Sequence, residues 1–119
     1  MKDIKAGVIA FIRKNGDTSF PELEQYFGNE DIEWRGDLSL TWNEFADFLV
    51  LWQGWNIEVI KALAGLQSDG VLFFRLMTTI DLFCSGKALN LPIANRVIKY
   101  KTPHWLPVML SLTDTHSLK

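Results

Sequence analysis

Two histidines, one cysteine and fourteen carboxylates are the residues from which this 119-residue chain could build a reactive centre. A nucleophilic thiol needs a depressed pKa and a base within reach. Cys84 is followed by Ser85-Gly86, with neither a base nor a cation beside it, and reads as a small buried hydrophobe. His104 and His116 lie far from any serine or cysteine elbow, and no H-x-x-x-H or C-x-x-C spacing offers a metal its ligands. The carboxylates are plentiful, but no pair stands at a spacing that implies acid–base work. The eight glycines are dispersed, mostly at element ends, and form no phosphate-cradling loop. The expectation is a protein that is not an enzyme, with no cofactor, no metal and no small-molecule substrate.

Binding chemistry is better represented. From Asp17 to Asp47 nine acids face one cation, Arg35, for a net charge of −8. Between Asp81 and Asp114 the charged residues are Lys87, Arg96, Lys99 and Lys101, a net +4. Such asymmetry speaks about partners, not fold. The acidic and basic segments can face each other within one chain or across a dimer, or the basic segment can attract nucleic acid. Lys87, Arg96, Lys99, Lys101 and His104, interleaved with Tyr100 and Trp105, make the best nucleic-acid footprint. The prolines around HWL instead suggest an anchored apolar corner, which places Trp105 in the core.

The stretch VLWQGWN carries two of the five tryptophans. Exposed indoles could stack on a base or a sugar, but in a small domain they mainly supply core area. Trp42 and Trp52 are expected inside. Trp55 is expected to cover the start of the following helix, with stacking reopened if its ring proves exposed.

The elements that would position these groups follow from periodicity. Ile4, Val8, Phe11 and Ile12 share one helical face, and Asn15-Gly16-Asp17 ends that helix. After the extended link Thr18-Ser19-Phe20, Pro21 suits the first turn of PELEQYF, closed by Gly28-Asn29. Ser19 and Glu22 have capping-box spacing, although Pro21 disfavours helical angles at Phe20. Leu38, Leu40 and Trp42 alternate with polar residues as a half-buried strand does, and Asn43 to Asp47 reads as a hairpin loop. Phe48 to Trp52 suits a strand covered on both faces, followed by a turn at Gln53-Gly54. Asn56 is an N-cap for a helix whose stripe is Ile57, Ile60, Leu63, Ala64 and Leu66. Gly70 ends it, and VLFFRLM reads as a strand with Arg75 toward the edge or solvent. Thr79 could cap a short helix, IDLFCS, stopped by Gly86. LNLPIAN is not a central strand, RVIKYK leans toward extended structure, and VMLSL is a final apolar segment before a tail from Thr113.

A hydrophobic content of 48% and a charged content of 22% are ordinary for one globular domain, here 1–119. No signal peptide and no bilayer-length apolar run are present, so the expected location is cytoplasmic, with no membrane contact.

The segments IKAGVIAFIRKNGDTSFPELEQYF and NIEVIKALAGLQSDGVLFF resemble a winged helix-turn-helix domain over about residues 2 to 77. LQSDGVL is similar to that family's passage from the third helix into the wing strands. The resemblance implies an α+β, winged-helix-like fold of three main helices, with an inserted β-hairpin and a strand-containing C-terminal extension over residues 78–119. About 25 residues separate the second and third helices, a departure from the family's short turn. LWQGW, LPIA and HWLP also resemble small uncharacterised proteins of Gram-positive phages and genomic islands.

On the winged-helix resemblance, the third helix would meet the major groove with Asn56, Glu58, Lys61, Ala62, Gly65 and Gln67. One lysine and one glutamine opposed by a glutamate read bases poorly. The candidate partner-binding residues are therefore Asn56, Lys61, Gln67, Lys87, Arg96, Lys99, Lys101 and His104. A regulatory protein–protein contact in a mobile-element setting, through a protein partner or a homodimer, is expected ahead of a DNA-binding regulator.

Overall fold

Asp3 opens the first helix, accepting a hydrogen bond from the amide of Ala6. The computed structural model describes residues 3–41, 48–85, 87–94 and 100–112. Their elements are mixed α and β. In chain order they are α1 (Ile4–Asn15), α2 (Phe20–Asn29), β1 (Arg35–Thr41), β2 (Leu49–Trp55), α3 (Ile57–Ser68), β3 (Phe73–Leu76), α4 (Thr79–Ser85), β4 (His104–Trp105) and β5 (Val108–Ser111). Trp42, the expected hairpin loop at 43–47, Gly86, Arg96, Val97, Ile98, Lys99 and the residues from Thr113 onward lie outside the described residues.

Helix ends follow local chemistry closely. Gly16 stops α1 at φ 83°. Ser19 and Glu22 form a complete capping box on α2, so the cap prevails over the bias that Pro21 places on Phe20. At the other end Gly28 stays helical. The left-handed position falls to Asp31 at φ 56°, with Asp31 N–H donating to the Gly28 carbonyl and Ile32 N–H to that of Phe27. That is the Schellman pattern, and α3 ends the same way with Gly70 at φ 75°. The cap of α4 is Thr78 rather than Thr79: the Asp81 amide donates to Thr78 Oγ1, while Asp81 Oδ2 accepts from the Thr78 amide.

Three strands make the first sheet, in the order β1-β2-β4, with β2 antiparallel to β1 and parallel to β4. Both faces of β2 are covered over its first four residues, which accounts for the continuous apolar run: Leu49, Val50, Leu51 and Trp52 are all buried. Phe48 lies just outside the strand and is exposed, although its carbonyl still accepts from the His104 amide of β4. In the second sheet β3 pairs antiparallel with β5, and Thr18 bridges Leu110 from the other side of β5. Arg75 of β3 bonds Asp17 at 2.7 Å and Asp81 at 3.0 Å, tying that sheet to α4 and the α1–α2 link. These carboxylates, after the partial offset of burial, hold its guanidinium above the ordinary arginine range.

Three further expectations are corrected. Leu38 does not point inward: it is 41% exposed, because register shifts on both sides of it break the alternation of β1. The buried stripe of α3 is Val59, Ala62, Leu63 and Leu66, which leaves Ile57 and Ala64 exposed and places Ala62 inside. The stripe runs i, i+3, i+4, i+7 from Val59, a start that fits the 3.6-residue period better than Ile57 does. Cys84 is exposed, since α4 is a short surface helix.

Candidate functional site

The interior centres on aromatic rings contributed by three elements and one carboxylate. Phe20 and Phe27 come from α2, Trp52 and Trp55 from β2, and Phe74 from β3. Phe20 stacks on Trp52 at 5.4 Å between centroids, and Trp55 meets Phe20 and Phe27 edge-on at 5.5 and 5.6 Å. In a regular strand, residues three apart point to opposite faces. Gly54 at φ 85° and the irregular register opposite it, where Arg35 and Leu38 both pair with Trp55, reset the alternation. Gln53-Gly54 is thus a bulge inside β2, not a turn, and it turns both indoles inward.

Glu24 meets them there. It is 8% exposed, and its Oε2 accepts from Trp52 Nε1 and Trp55 Nε1, each at 2.9 Å. Its Oε1 accepts from Lys87 Nζ at 2.7 Å. Burial alone would raise the carboxyl pKa, but the Lys87 ammonium and the two indole N–H groups outweigh it and hold the group below its ordinary value. With both oxygens engaged and the charge stabilised, Glu24 pins structure and is a poor proton carrier. Sequence reasoning missed it. Its signal was positional: Glu24 lies one and four residues from Leu23 and Phe20, on the apolar face of PELEQYF.

Of the residues singled out from sequence, Asn56 is occupied by the fold. Its Oδ1 accepts from the Val59 amide and its Nδ2 donates to the Glu33 carbonyl, so it caps α3 and fastens the segment that leads into β1. Lys87 is held on Glu24. Lys61 is exposed on α3, with Gln67 half-buried on the same helix. Lys101 is exposed, and His104 is half-buried, stacked on Tyr100 at 4.1 Å with Nδ1 2.8 Å from the Thr102 carbonyl oxygen. Arg96 and Lys99 lie outside the described residues. The candidates thus divide among α3, the Glu24 pin and the Tyr100–Trp105 segment. Trp105 is buried as expected, and its Nε1 has no hydrogen-bond partner among the described residues.

Accessible surface of distinctive character lies instead at β1. Among the described residues this strand has β2 on one side only, and Arg35, Gly36, Asp37, Leu38 and Ser39 are all exposed. Beside its first residue is an open depression of about 300 Å³, lined among others by Asp31, Glu33, Trp34 and Arg35. The Arg35 guanidinium lies 4.1 Å from the Trp34 ring centre and pairs with Glu33 at 3.5 Å. Gly36 crosses directly over the Trp55–Asn56 peptide: a Cβ there would stand 2.7 Å from the Trp55 carbonyl oxygen and from the Asn56 Cα. Gly36→Ala is accordingly expected to cost about 1–3 kcal/mol through overpacking against backbone that cannot yield. A shift in the denaturant midpoint at unchanged slope would measure it.

Among the described residues no helix is long and apolar enough to cross a membrane, and no cluster of three His, Cys, Asp or Glu could hold a metal ion. A scan against protein-family models finds no match, and searches of curated proteins and of solved structures find none either.

Proposed function

We propose that this chain is a non-enzymatic, winged-helix-like interaction module that makes regulatory protein–protein contacts through its acidic stretch. The observation that carries the reading is β1: it lies within that stretch, forms the edge of its sheet and exposes five consecutive residues. Two further features support a winged-helix-like frame. α3 runs through Gly70 into β3, and β5 pairs with β3 and bridges to Thr18 in the α1–α2 link. The β1–β2 hairpin stands between α2 and α3, where the family has a short turn, and gives this chain a surface that the frame alone lacks.

A DNA-binding role draws less support. Asn56 and Lys87 are engaged by partners within the chain, and α3 offers Lys61 beside the exposed Glu58. The contrast between acidic and basic segments is met in part internally, by the Glu24–Lys87 pair. The setting of a mobile genetic element, and a cytoplasmic location, belong to the same proposal.

Cross-linking and sizing of the chain in cell extract test it. A complex heavier than the chain, held through the acidic stretch, is the expected result. A strict monomer that retains no partner counts against the reading. Retardation of duplex DNA at low salt, lost steeply as salt rises, would favour the regulator instead.

A further inference from the structure

We propose that the free edge of β1, with the depression at its start, takes an extended basic segment of another protein as an added strand. This rests on the protein-contact reading above and assigns the partner's chemistry. An edge strand offers a row of backbone N–H and C=O groups, and pairing with an extended peptide is a recurrent use of such an edge. In β1 the residues from Gly36 onward have no backbone partner outside β2 among the described residues. The register shifts along β1 limit the pairing to a few residues, which suits a short segment and discourages sheet-to-sheet aggregation.

Charge selects the occupant. Glu30, Asp31, Glu33 and Asp37 against Arg35 give this surface a net −3. Asp31 and Asp37 are exposed and have no ion-pair partner among the described residues. Two copies joined through β1 would bring two such surfaces together, and like charges across a strand pair are destabilising. A lysine or arginine on an incoming strand finds the Asp31 and Glu33 carboxylates and the Trp34 ring at the depression. Arg35 lies over that ring and pairs with Glu33, the same cation chemistry that an incoming lysine or arginine would share or replace.

Asp31 itself supports the assignment. It occupies a left-handed position that the corresponding end of α3 gives to Gly70. Its carboxylate also lies at the negative end of the α2 dipole. A residue disfavoured on both counts is a candidate for a role outside stability.

The probe is a fluorescein-labelled octapeptide of alternating lysine and valine, followed by anisotropy with the full chain. Two controls are the same peptide with alternate backbone amides N-methylated and a glutamate–valine counterpart. We expect the lysine peptide to bind, the methylated peptide to bind at least tenfold more weakly and the glutamate peptide not to bind. Exchange of the β1 amides should slow when the lysine peptide is added. Asp31→Gly should raise the melting temperature yet weaken the peptide at least fivefold, a combination that a purely structural Asp31 would not produce. Equal binding of the methylated peptide overturns strand addition while leaving the protein-contact reading in place. A dimer of this chain with exchange-protected β1 amides overturns the basic occupant instead, again leaving the protein-contact reading in place. Absence of peptide binding overturns the inference, and it reaches the broader reading only if extract sizing also finds a bare monomer.

Discussion

Glu24→Ala is expected to destabilise the fold by about 3–5 kcal/mol, the range for removing one member of a buried charged network. The loss has an identifiable composition. Two indole N–H groups, on Trp52 and Trp55, lose the acceptor they share inside the aromatic core. An unsatisfied buried donor costs about 1–3 kcal/mol. The Lys87 ammonium adds little, since that side chain is 61% exposed and water solvates it when the carboxylate is gone. Glu24→Gln keeps one oxygen for the indoles and loses the charge, so it should fall between the variant and the parent. Chemical denaturation of the three proteins measures the series, and a loss below about 1 kcal/mol for alanine would show that the pin is dispensable.

The same carboxylate sets an acid limit. Its pKa lies below the ordinary value in the folded chain, so the stability it contributes is fully present above the ordinary carboxylate range. That contribution is lost as pH falls through the folded value. Asp81 adds in the same direction: the Thr78 amide, with Arg75 and the Thr78 hydroxyl, outweighs burial and lowers its pKa. Glu24→Gln should therefore lose less stability on acidification than the parent does, although it starts from a lower value.

Trp55→Ala should cost about 3–5 kcal/mol by a different route. The ring is fully buried, meets Phe20 and Phe27 edge-on, and stands at the last residue of β2, directly before the cap of α3. Alanine leaves a cavity among rigid aromatic neighbours, which collapse into it poorly. Trp55→Phe keeps most of the packing and removes the N–H, leaving Glu24 with Trp52 and Lys87. A smaller loss, near 1 kcal/mol, is expected for the phenylalanine variant. The difference between the two variants separates volume from hydrogen bonding. Equal losses would mean that the indole N–H, not the ring, carries the effect.

Much of this arrangement could be read in advance where the signal is local. Asn56 as a cap, Gly16 and Gly70 as helix ends, and the Ser19–Glu22 pair each depend on neighbours within a few residues. The order of elements through β3 follows from the same kind of signal. Trp55 was the harder case. Its inward direction depends on a bulge, and a bulge is visible only against the partner strand, here Arg35 and Leu38. A glycine inside a strand pattern is a hint of one, but the same Gln-Gly pair also suits a turn. Glu24 was illegible for a related reason. An acid on an apolar face is unremarkable until two tryptophans from β2 and a lysine from far along the chain converge on it. Asn56 and Lys87 follow the same logic, because each has a partner that only the folded chain brings near.

The placement of β5 also bears on how this chain acquires its fold. Its neighbours are Thr18 on one side and β3 on the other, so Leu110 is joined by hydrogen bonds to a residue near the opposite end of the sequence. Helices α1 to α3 and the β1–β2 hairpin can form from nearby residues. The second sheet cannot close until residue 110 has been synthesised and has returned to residue 18. Non-local pairing of this kind slows folding, because loop entropy is lost before contacts are gained. A nascent chain emerging from the ribosome would hold its helices and hairpin early and acquire its second sheet last, with Thr18 waiting at the seam.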